Sequence, residues 1–204
     1  MSIETDIVEI PGLLRNKIYK ILTFTADGLK VEKPLSFDPI VFIPADTIAS
    51  FRYGVKWIRG YKFIFGRQYI IEVQDKTGEI FSVKLTSLYQ IRRKAYSKIW
   101  SDIFNQLFIY YFKSLLENYY SLYKSKQRFD ISSVEFHPFG IRFNDQGLFW
   151  NEIALSNYKT YFMIHDRENI KKLHRISFMN DWNAFLLQRL LKKIIEEQNS
   201  FRNP

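Results

Sequence analysis

The sequence predicts an α+β fold, mainly antiparallel β with long helices, in which one supersecondary unit occurs twice. Three observations carry this reading. Thr23-Phe24-Thr25-Ala26-Asp27-Gly28-Leu29-Lys30-Val31 aligns with Glu135-Phe136-His137-Pro138-Phe139-Gly140-Ile141-Arg142-Phe143, each reading as strand, tight turn with Gly at the same place, and strand. Downstream, Asp46-Thr47-Ile48-Ala49 matches Asn151-Glu152-Ile153-Ala154, and Ile71-Glu72-Val73-Gln74-Asp75 matches Phe162-Met163-Ile164-His165-Asp166. Each copy then closes with an amphipathic helix, Ser87 to about Lys124 and Asp181 to about Gln198. The chain accordingly divides into a first unit, residues 1–125, and a second, shorter unit, residues 126–204.

The strand signals of the first unit run from Lys17 to Leu85. Ile18 to Thr25 leads to a turn at Ala26-Asp27-Gly28 and then to Leu29 to Lys33. Asp-Gly between apolar runs signals a hairpin, because Gly accepts the positive φ of primed turns. After a connection from Pro34 to Pro39 come Ile40 to Ile43, Ile48 to Tyr53, Val55 to Ile58 and Tyr61 to Phe65. Tyr69 to Gln74 and Glu79 to Leu85 flank Asp75-Lys76-Thr77-Gly78, a second hairpin turn. Short strands with turns at short intervals form the pattern of an antiparallel sandwich or barrel.

Beyond Leu85 the period changes. Ser87 is an expected N-cap, since its hydroxyl can accept from an orphaned helix amide. Ile91, Ala95, Ile99, Ile103 and Leu107 recur every four residues, a helical stripe. A second stripe follows at Phe104, Phe108, Tyr111, Leu115, Tyr119 and Leu122. One long helix, or two broken near Asn105, fits this segment. The second unit offers strands at Val134 to Phe136, Ile141 to Phe143, Leu148 to Trp150, Ile153 to Tyr158, Tyr161 to His165 and Leu173 to Phe178. Asn180 or Asp181 is the expected cap of a last helix whose i, i+3, i+4 positions are Trp182, Phe185, Leu186, Arg189, Leu190 and Ile194. A frayed tail from Asn199 to Pro204 is expected.

Composition narrows the class. With 47% hydrophobic and 18% aromatic residues against only 8 Gly and 6 Pro, the chain reads as a packed globule. There is no Cys, which excludes disulfides, thiolate catalysis and cysteine metal sites. The acidic start, Met1 to Asp6, does not read as a signal peptide. The most apolar stretch, Ile103 to Leu122, is interrupted by Asn105, Gln106, Lys113, Glu117 and Asn118, so a transmembrane helix is not expected. A cytoplasmic location, peripheral at the membrane if the surface charge engages it, is the expectation. The net charge of +9 favours an anionic partner or, more simply, keeps an aromatic-rich protein dissolved.

Antiparallel strands closed by a C-terminal amphipathic helix resemble the pleckstrin-homology-like (PH-like) fold. The resemblance rests on element order over nearly the whole chain and implies two tandem, strongly bent sheets, each closed by its helix. A lipocalin-like barrel or one larger domain are the rival all-β readings. Members of the family often bind phosphoinositides through basic residues in and after the first hairpin loop. Here those loops are Thr25-Ala26-Asp27-Gly28 and His137-Pro138-Phe139-Gly140; neither holds a Lys/Arg cluster, and Asp27 would repel a phosphate. Lys30 and Arg142 are single cations at matching positions. Other members bind peptides or proteins, and the fold alone does not fix function.

One segment stands out. Arg52 to Arg67 interleaves cations with aromatics, and the second copy has little that corresponds to it, which reads as an insertion or as two strands lost from that copy. Cations mixed with aromatics can grip a phosphate backbone, stack on bases or seat at a membrane interface. An ordinary hairpin would instead turn its basic residues outward and its aromatics inward. Arg92, Arg93 and Lys94, with Lys98, add a basic patch on the first helical turns, near the positive helix end. The candidate contact residues are therefore Lys56, Trp57, Arg59, Lys62, Arg67, Arg92, Arg93 and Lys94. His137, His165 and His174 lack metal-ligand spacing, and no nucleophile motif or phosphate loop is present. The sequence thus predicts no catalytic residues, no metal and no cofactor. It predicts a non-enzymatic module that recognises a protein or peptide laid along a strand edge or in a sheet–helix groove. The alternative partner is an anionic surface, membrane phospholipid or nucleic acid, met through the basic-aromatic patch; no small-molecule substrate is expected.

Overall fold

The computed structural model describes residues 5–14, 17–33, 39–169 and 173–200. Most of the expected connection from Pro34 to Pro39, and the end of the expected frayed tail, lie outside these residues. The fold is α+β with antiparallel sheets. No helix among the described residues is long and apolar enough to cross a membrane. The chain divides into two compact units between Lys113 and Ser114.

In the first unit, β1 (Asp6–Pro11), β2 (Ile18–Phe24), β3 (Gly28–Glu32) and β4 (Ile40–Pro44) form a four-stranded meander in the order β1-β2-β3-β4. Alternation turns Leu22, Phe24, Leu29 and Val31 inward, where they are fully buried. A single 3-10 turn, Ala45–Thr47, leads into a second meander of β5 (Ile48–Arg59), β6 (Ile64–Asp75) and β7 (Ile80–Leu88). Its inward set is Phe51, Ile71, Val73, Val83 and Leu85. The expected strands on either side of Gly54 are one twelve-residue strand, because Gly54 stays in register opposite Ile70. The segment Arg52 to Arg67 is therefore no insertion of extra strands. It is the outer half of one long hairpin.

Helix α1 (Arg93–Leu107) passes through a π-helical turn at Phe108–Phe112 into α2 (Lys113–Lys124). Leu107, Phe108 and Lys113 all keep right-handed helical dihedrals, so the backbone does not break near Asn105. The helical face buried in the first unit is Tyr96, Ile103, Leu107, Tyr111 and Phe112, whereas Ile91 and Ala95, expected in this stripe, are exposed. Aromatic packing joins it to β5, with Phe112 stacked 4.0 Å from Phe51 and Phe104 4.7 Å from Tyr53. Ser87 is not the helix cap: it is buried in β7 and its hydroxyl donates to the Ile91 carbonyl at 2.8 Å.

The second unit contains the meander β8 (Phe129–Ile131), β9 (Val134–His137), β10 (Gly140–Phe143) and β11 (Gln146–Phe149). A second meander follows, β12 (Ile153–Asn157), β13 (Tyr161–Asp166) and β14 (Leu173–Ser177). Asn144 and Asp145, both at positive φ, make the two-residue β10–β11 turn. Helix α3 (Ala184–Ser200) buries Leu186, Leu187, Leu190, Leu191 and Ile194 completely. Neither Asn180 nor Asp181 immediately precedes it. The Asp181 carboxylate instead accepts from the Ser177 amide at 2.7 Å. Between α2 and α3, Lys193 pairs with Glu117 at 3.2 Å, and Glu197 accepts from both Lys124 and Tyr120. These contacts replace the i, i+4 pairs that Lys192-Lys193 and Glu196-Glu197 would suggest.

The aligned glycines share one physical requirement. A Cβ at Gly28 would lie 2.4 Å from the Ile43 carbonyl oxygen, and one at Gly140 would lie 2.0 Å from that of Leu148. Each opens the third strand of its meander, and the fourth strand's backbone occupies the space a side chain would need. Close approach, rather than a primed turn, explains Gly at both positions. Gly140→Ala should therefore lower the urea-unfolding free energy by about 1–3 kcal/mol, the usual range for overpacking. Gly147→Ala, whose nearest neighbour would be 3.9 Å away, should be neutral or mildly stabilising. Equal losses at the two positions would contradict the close-approach account.

Candidate functional site

The β5–β6 hairpin carries the first group of candidate residues. Lys56 faces Gln68 across the ladder, Trp57 faces Arg67, and Arg59 faces Ile64, with a bulge between Ile58 and Arg59. The Arg67 guanidinium lies 4.5 Å from the Trp57 ring centroid, a cation–π contact that holds both side chains in place. Lys62 sits in the turn, its ammonium 5.6 Å from the Tyr61 ring. Lys56, Trp57, Arg59 and Lys62 are all exposed.

The hairpin tip breaks the expected alternation. Tyr61 is 96% exposed, Phe63 62% and Ile64 52%, so apolar groups and cations project together. Phe65 bridges Phe63, 6.1 Å away, to Tyr89, 5.9 Å away and itself 70% exposed. The result is a small apolar ridge at the end of the hairpin. Strand periodicity conceals such a ridge, because Tyr61 and Phe63 lie in the turn between β5 and β6, where alternation does not apply.

The second group stands at the start of α1. Arg92 is in the left-handed region, φ 57°, and its Nε donates to the Leu13 carbonyl at 3.0 Å. Arg93 donates to Gln90 Oε1 at 3.0 Å, and Lys94 is exposed. Tyr69, two residues from Arg67 on β6, donates its hydroxyl to the Arg93 carbonyl at 3.3 Å. That bond sets the first helical turn beside the hairpin. A groove of about 960 Å³ results, lined by Arg67 from the hairpin and by Arg92, Arg93, Lys94 and Lys98 from the helix start. A smaller groove of about 340 Å³, lined by Phe63, Phe65, Arg67, Tyr89 and Arg93, continues it toward the apolar ridge. The structure thus joins Arg67 to Arg92, Arg93 and Lys94, while Lys56, Arg59 and Lys62 lie outside the grooves along the hairpin.

Charge compensation separates these cations from the rest of the surface. Arg52 pairs with Glu72 at 2.7 Å, Lys30 with Glu32 at 2.7 Å and Lys98 with Asp102 at 2.9 Å. Among the described residues, Lys56, Arg59, Lys62, Arg67, Arg93 and Lys94 make no ion pair with a carboxylate. Arg93 and Lys94 moreover stand on the first helical turn, where the dipole disfavours cations by roughly 0.3–1 kcal/mol each. Helix stability does not account for them. By contrast Glu72 is held in a network: burial pushes its carboxyl up, but hydrogen bonds from Arg52 and Ser82 and the charges of Arg52 and Lys84 outweigh this and bring it below the usual range.

Tyr61, Phe63, Ile64 and Tyr89 are the site residues that sequence reasoning did not single out; the run of large apolar side chains between Gly60 and Gly66 was the signal for the first three, and Tyr89 had none. Among the described residues, no group of three His, Asp or Glu side chains is placed to hold a metal ion. The arrangement can hold anionic groups by charge and insert apolar groups into a soft surface.

Tyr69→Phe should lower stability by about 0.5–1.5 kcal/mol, the value of one net hydrogen bond. It should also speed amide exchange at Tyr96, whose N–H donates to Arg92 in the same turn. Unchanged exchange there would show that the bond does not fix the helix start. No protein-family model matches the chain, and no curated protein matches it.

Proposed function

We propose that this chain is a non-enzymatic peripheral binding protein, built from two PH-like units, whose first unit docks on anionic membrane surfaces through the β5–β6 hairpin and the start of α1. The single observation that carries the proposal is the ring of unpaired cations around an exposed apolar ridge. Lys56, Arg59, Lys62, Arg67, Arg93 and Lys94 supply attraction to anionic headgroups, worth on the order of 1 kcal/mol each near such a surface. Tyr61, Phe63, Ile64 and Tyr89 supply apolar area suited to the headgroup–acyl boundary, where aromatic residues concentrate. An aliphatic side chain at the tip favours a bilayer over nucleic acid, since bases stack on aromatic faces and gain little from Ile64. A cytoplasmic protein would meet such lipids on the inner leaflet.

The tandem PH-like reading draws support from correspondences within each unit. Both have a four-stranded meander, then a three-stranded one, then a helix. Ile48 faces Asp75 and Ile153 faces Asp166. Both aspartates then accept from backbone amides two residues on, Thr77 and Glu168, each at 2.9 Å. Arg92 and Asn183, both at φ 57°, immediately precede α1 and α3. Duplication followed by divergence of the hairpin accounts for all of these.

A second reading, recognition of a protein segment, is favoured by a separate feature of the second unit. Phe139 and Phe149 are exposed beside a groove of about 270 Å³ that Gly140, Ile141, Gly147 and Leu148 line, next to the free edge of β11. A peptide strand could pair there.

Co-sedimentation with neutral and anionic vesicles, at low and physiological salt, tests the membrane reading. Binding is expected only to anionic vesicles and to weaken with salt. Lys56→Glu, Arg59→Glu and Lys62→Glu together should cost about 3 kcal/mol or more, a loss exceeding a hundredfold. Phe63→Ser with Ile64→Ser should weaken binding at both salt levels alike. Full binding by the charge-reversed protein, or tighter binding to RNA than to vesicles, would overturn the reading.

A further inference from the structure

At the opposite end of the first unit's β5–β6 hairpin from Tyr61, where β6 turns into β7, a cavity opens to the surface with two lysines in its lining. Lys20 follows the parity of Leu22 and Phe24 on β2, both fully buried. Lys33 lies one residue beyond the end of β3 and is half-buried. Val41 and Ile43 stand opposite Val31 and Leu29 on β4, and Phe81 stands opposite Val73 where β7 begins. Lys20, Lys33, Val41, Ile43, Val73 and Phe81 line a cavity of about 310 Å³, at the small end of the range of roughly 300–1,000 Å³ typical of ligand sites.

Asp75 and Glu79 share the lining, but neither ammonium group reaches either carboxylate. Neither Lys20 nor Lys33 makes an ion pair among the described residues. The Lys20 ammonium lies 5.7 Å from the rings of Tyr19 and Phe81, so its stem and head are held against aromatic surface. Burial first, and the Lys33 charge second, push the Lys20 pKa down, which means the two lysines repel one another across the mouth. Asp75 lies on the rim, but its Oδ1 already accepts from the Thr77 amide and hydroxyl and the Glu79 amide. Glu79 is on the rim as well, on the far side of that turn. An inward-facing lysine can guard a sheet edge against pairing. Two lysines lining one cavity do more, since an anion between them would relieve their repulsion while its apolar part fills the space below.

The geometry points to a binding site for a small amphiphilic anion, its carboxylate or phosphate head between Lys20 and Lys33 and its short apolar chain against Val41, Ile43, Val73 and Phe81. This site is separate from the hairpin surface and does not depend on the membrane reading. Its chemistry is a negative head on a few methylenes, whether the head is an acyl carboxylate or a phosphate monoester.

Thermal unfolding of the full chain with octanoate, octyl phosphate, octanol, acetate and inorganic phosphate tests it, each amphiphile kept below its micelle concentration. Octanoate or octyl phosphate should raise Tm by about 2–4 °C; whichever raises it more identifies the head. Octanol, acetate and inorganic phosphate should not. Lys20→Met and, separately, Lys33→Met should abolish the rise, and both variants should still sediment with anionic vesicles as the unmodified protein does. Should Lys20→Met fail to fold, Lys33→Met alone decides. No rise with either amphiphilic anion, an equal rise with octanol, or a rise that persists in the variants would overturn the site.

Discussion

The docking of α1 onto the first unit's sheets is the constraint on which the rest of that unit depends. Four polar tips of otherwise apolar side chains fix it. Tyr96 donates to the Pro11 carbonyl at 3.0 Å, Trp100 to Ile70 at 3.1 Å, Tyr111 to Thr25 at 3.1 Å, and Tyr69 reaches from β6 to Arg93 at 3.3 Å. Each gives the polar tip of a packed ring a backbone carbonyl partner, so packing and hydrogen bonding select the same helix position. Burial pushes the Tyr111 hydroxyl up to about 12, so it remains a donor throughout the physiological range. A helix rotated by one residue would lose these bonds together with the stack of Phe112 on Phe51.

That docking makes the cationic surface. Arg92, Arg93 and Lys94 belong to the helix start, and Arg67 belongs to the hairpin; only the seating of the first turn on Tyr69 brings them to one groove. The hairpin contributes in turn because it is long. Twelve-residue strands carry Lys56, Trp57 and Arg67 beyond the part of the sheet that the core needs, and the turn that joins them exposes Tyr61 and Phe63 at the end. In the second unit β12 and β13 have five and six residues. Both units nonetheless share one element order, a four-stranded meander, a three-stranded one and a helix.

Part of this was legible in the residues. The antiparallel strands, the amphipathic helices that follow them and Gly28 and Gly140 at their turns follow from period and spacing, because buried faces impose them. What period could not show was what Gly does in a strand. Gly54 and Gly66 read as breaks between short strands, yet both lie inside long ones. At Gly66 a Cβ would meet the Ser87 carbonyl at 2.8 Å, so the residue marks a close approach of β7. Ser87 read as a cap because a hydroxyl before an apolar stripe has that appearance; in the fold it is buried on a strand. The face of α3 was read in phase at Leu186, Leu190 and Ile194, all fully buried, but too narrowly: Leu187 and Leu191 are fully buried as well, while Phe185 is only half-buried and Arg189 is exposed. β1 and β8 escaped notice because one ends in Pro11 and the other has three residues. All eight candidate cation and aromatic positions were visible in the sequence, but their division into a groove set and a hairpin set was not, since it depends on the long-range Tyr69–Arg93 contact.

The most direct test of the central claim is whether the hairpin tip enters a bilayer. The chain contains no Cys, so Ile64→Cys gives a single attachment point for an environment-sensitive fluorophore. Insertion predicts a blue shift and protection from aqueous quencher on addition of anionic vesicles, with neither on addition of neutral ones. An emission spectrum and quenching unchanged by anionic vesicles, under conditions where the protein sediments with them, would contradict the account by showing that another surface makes the contact.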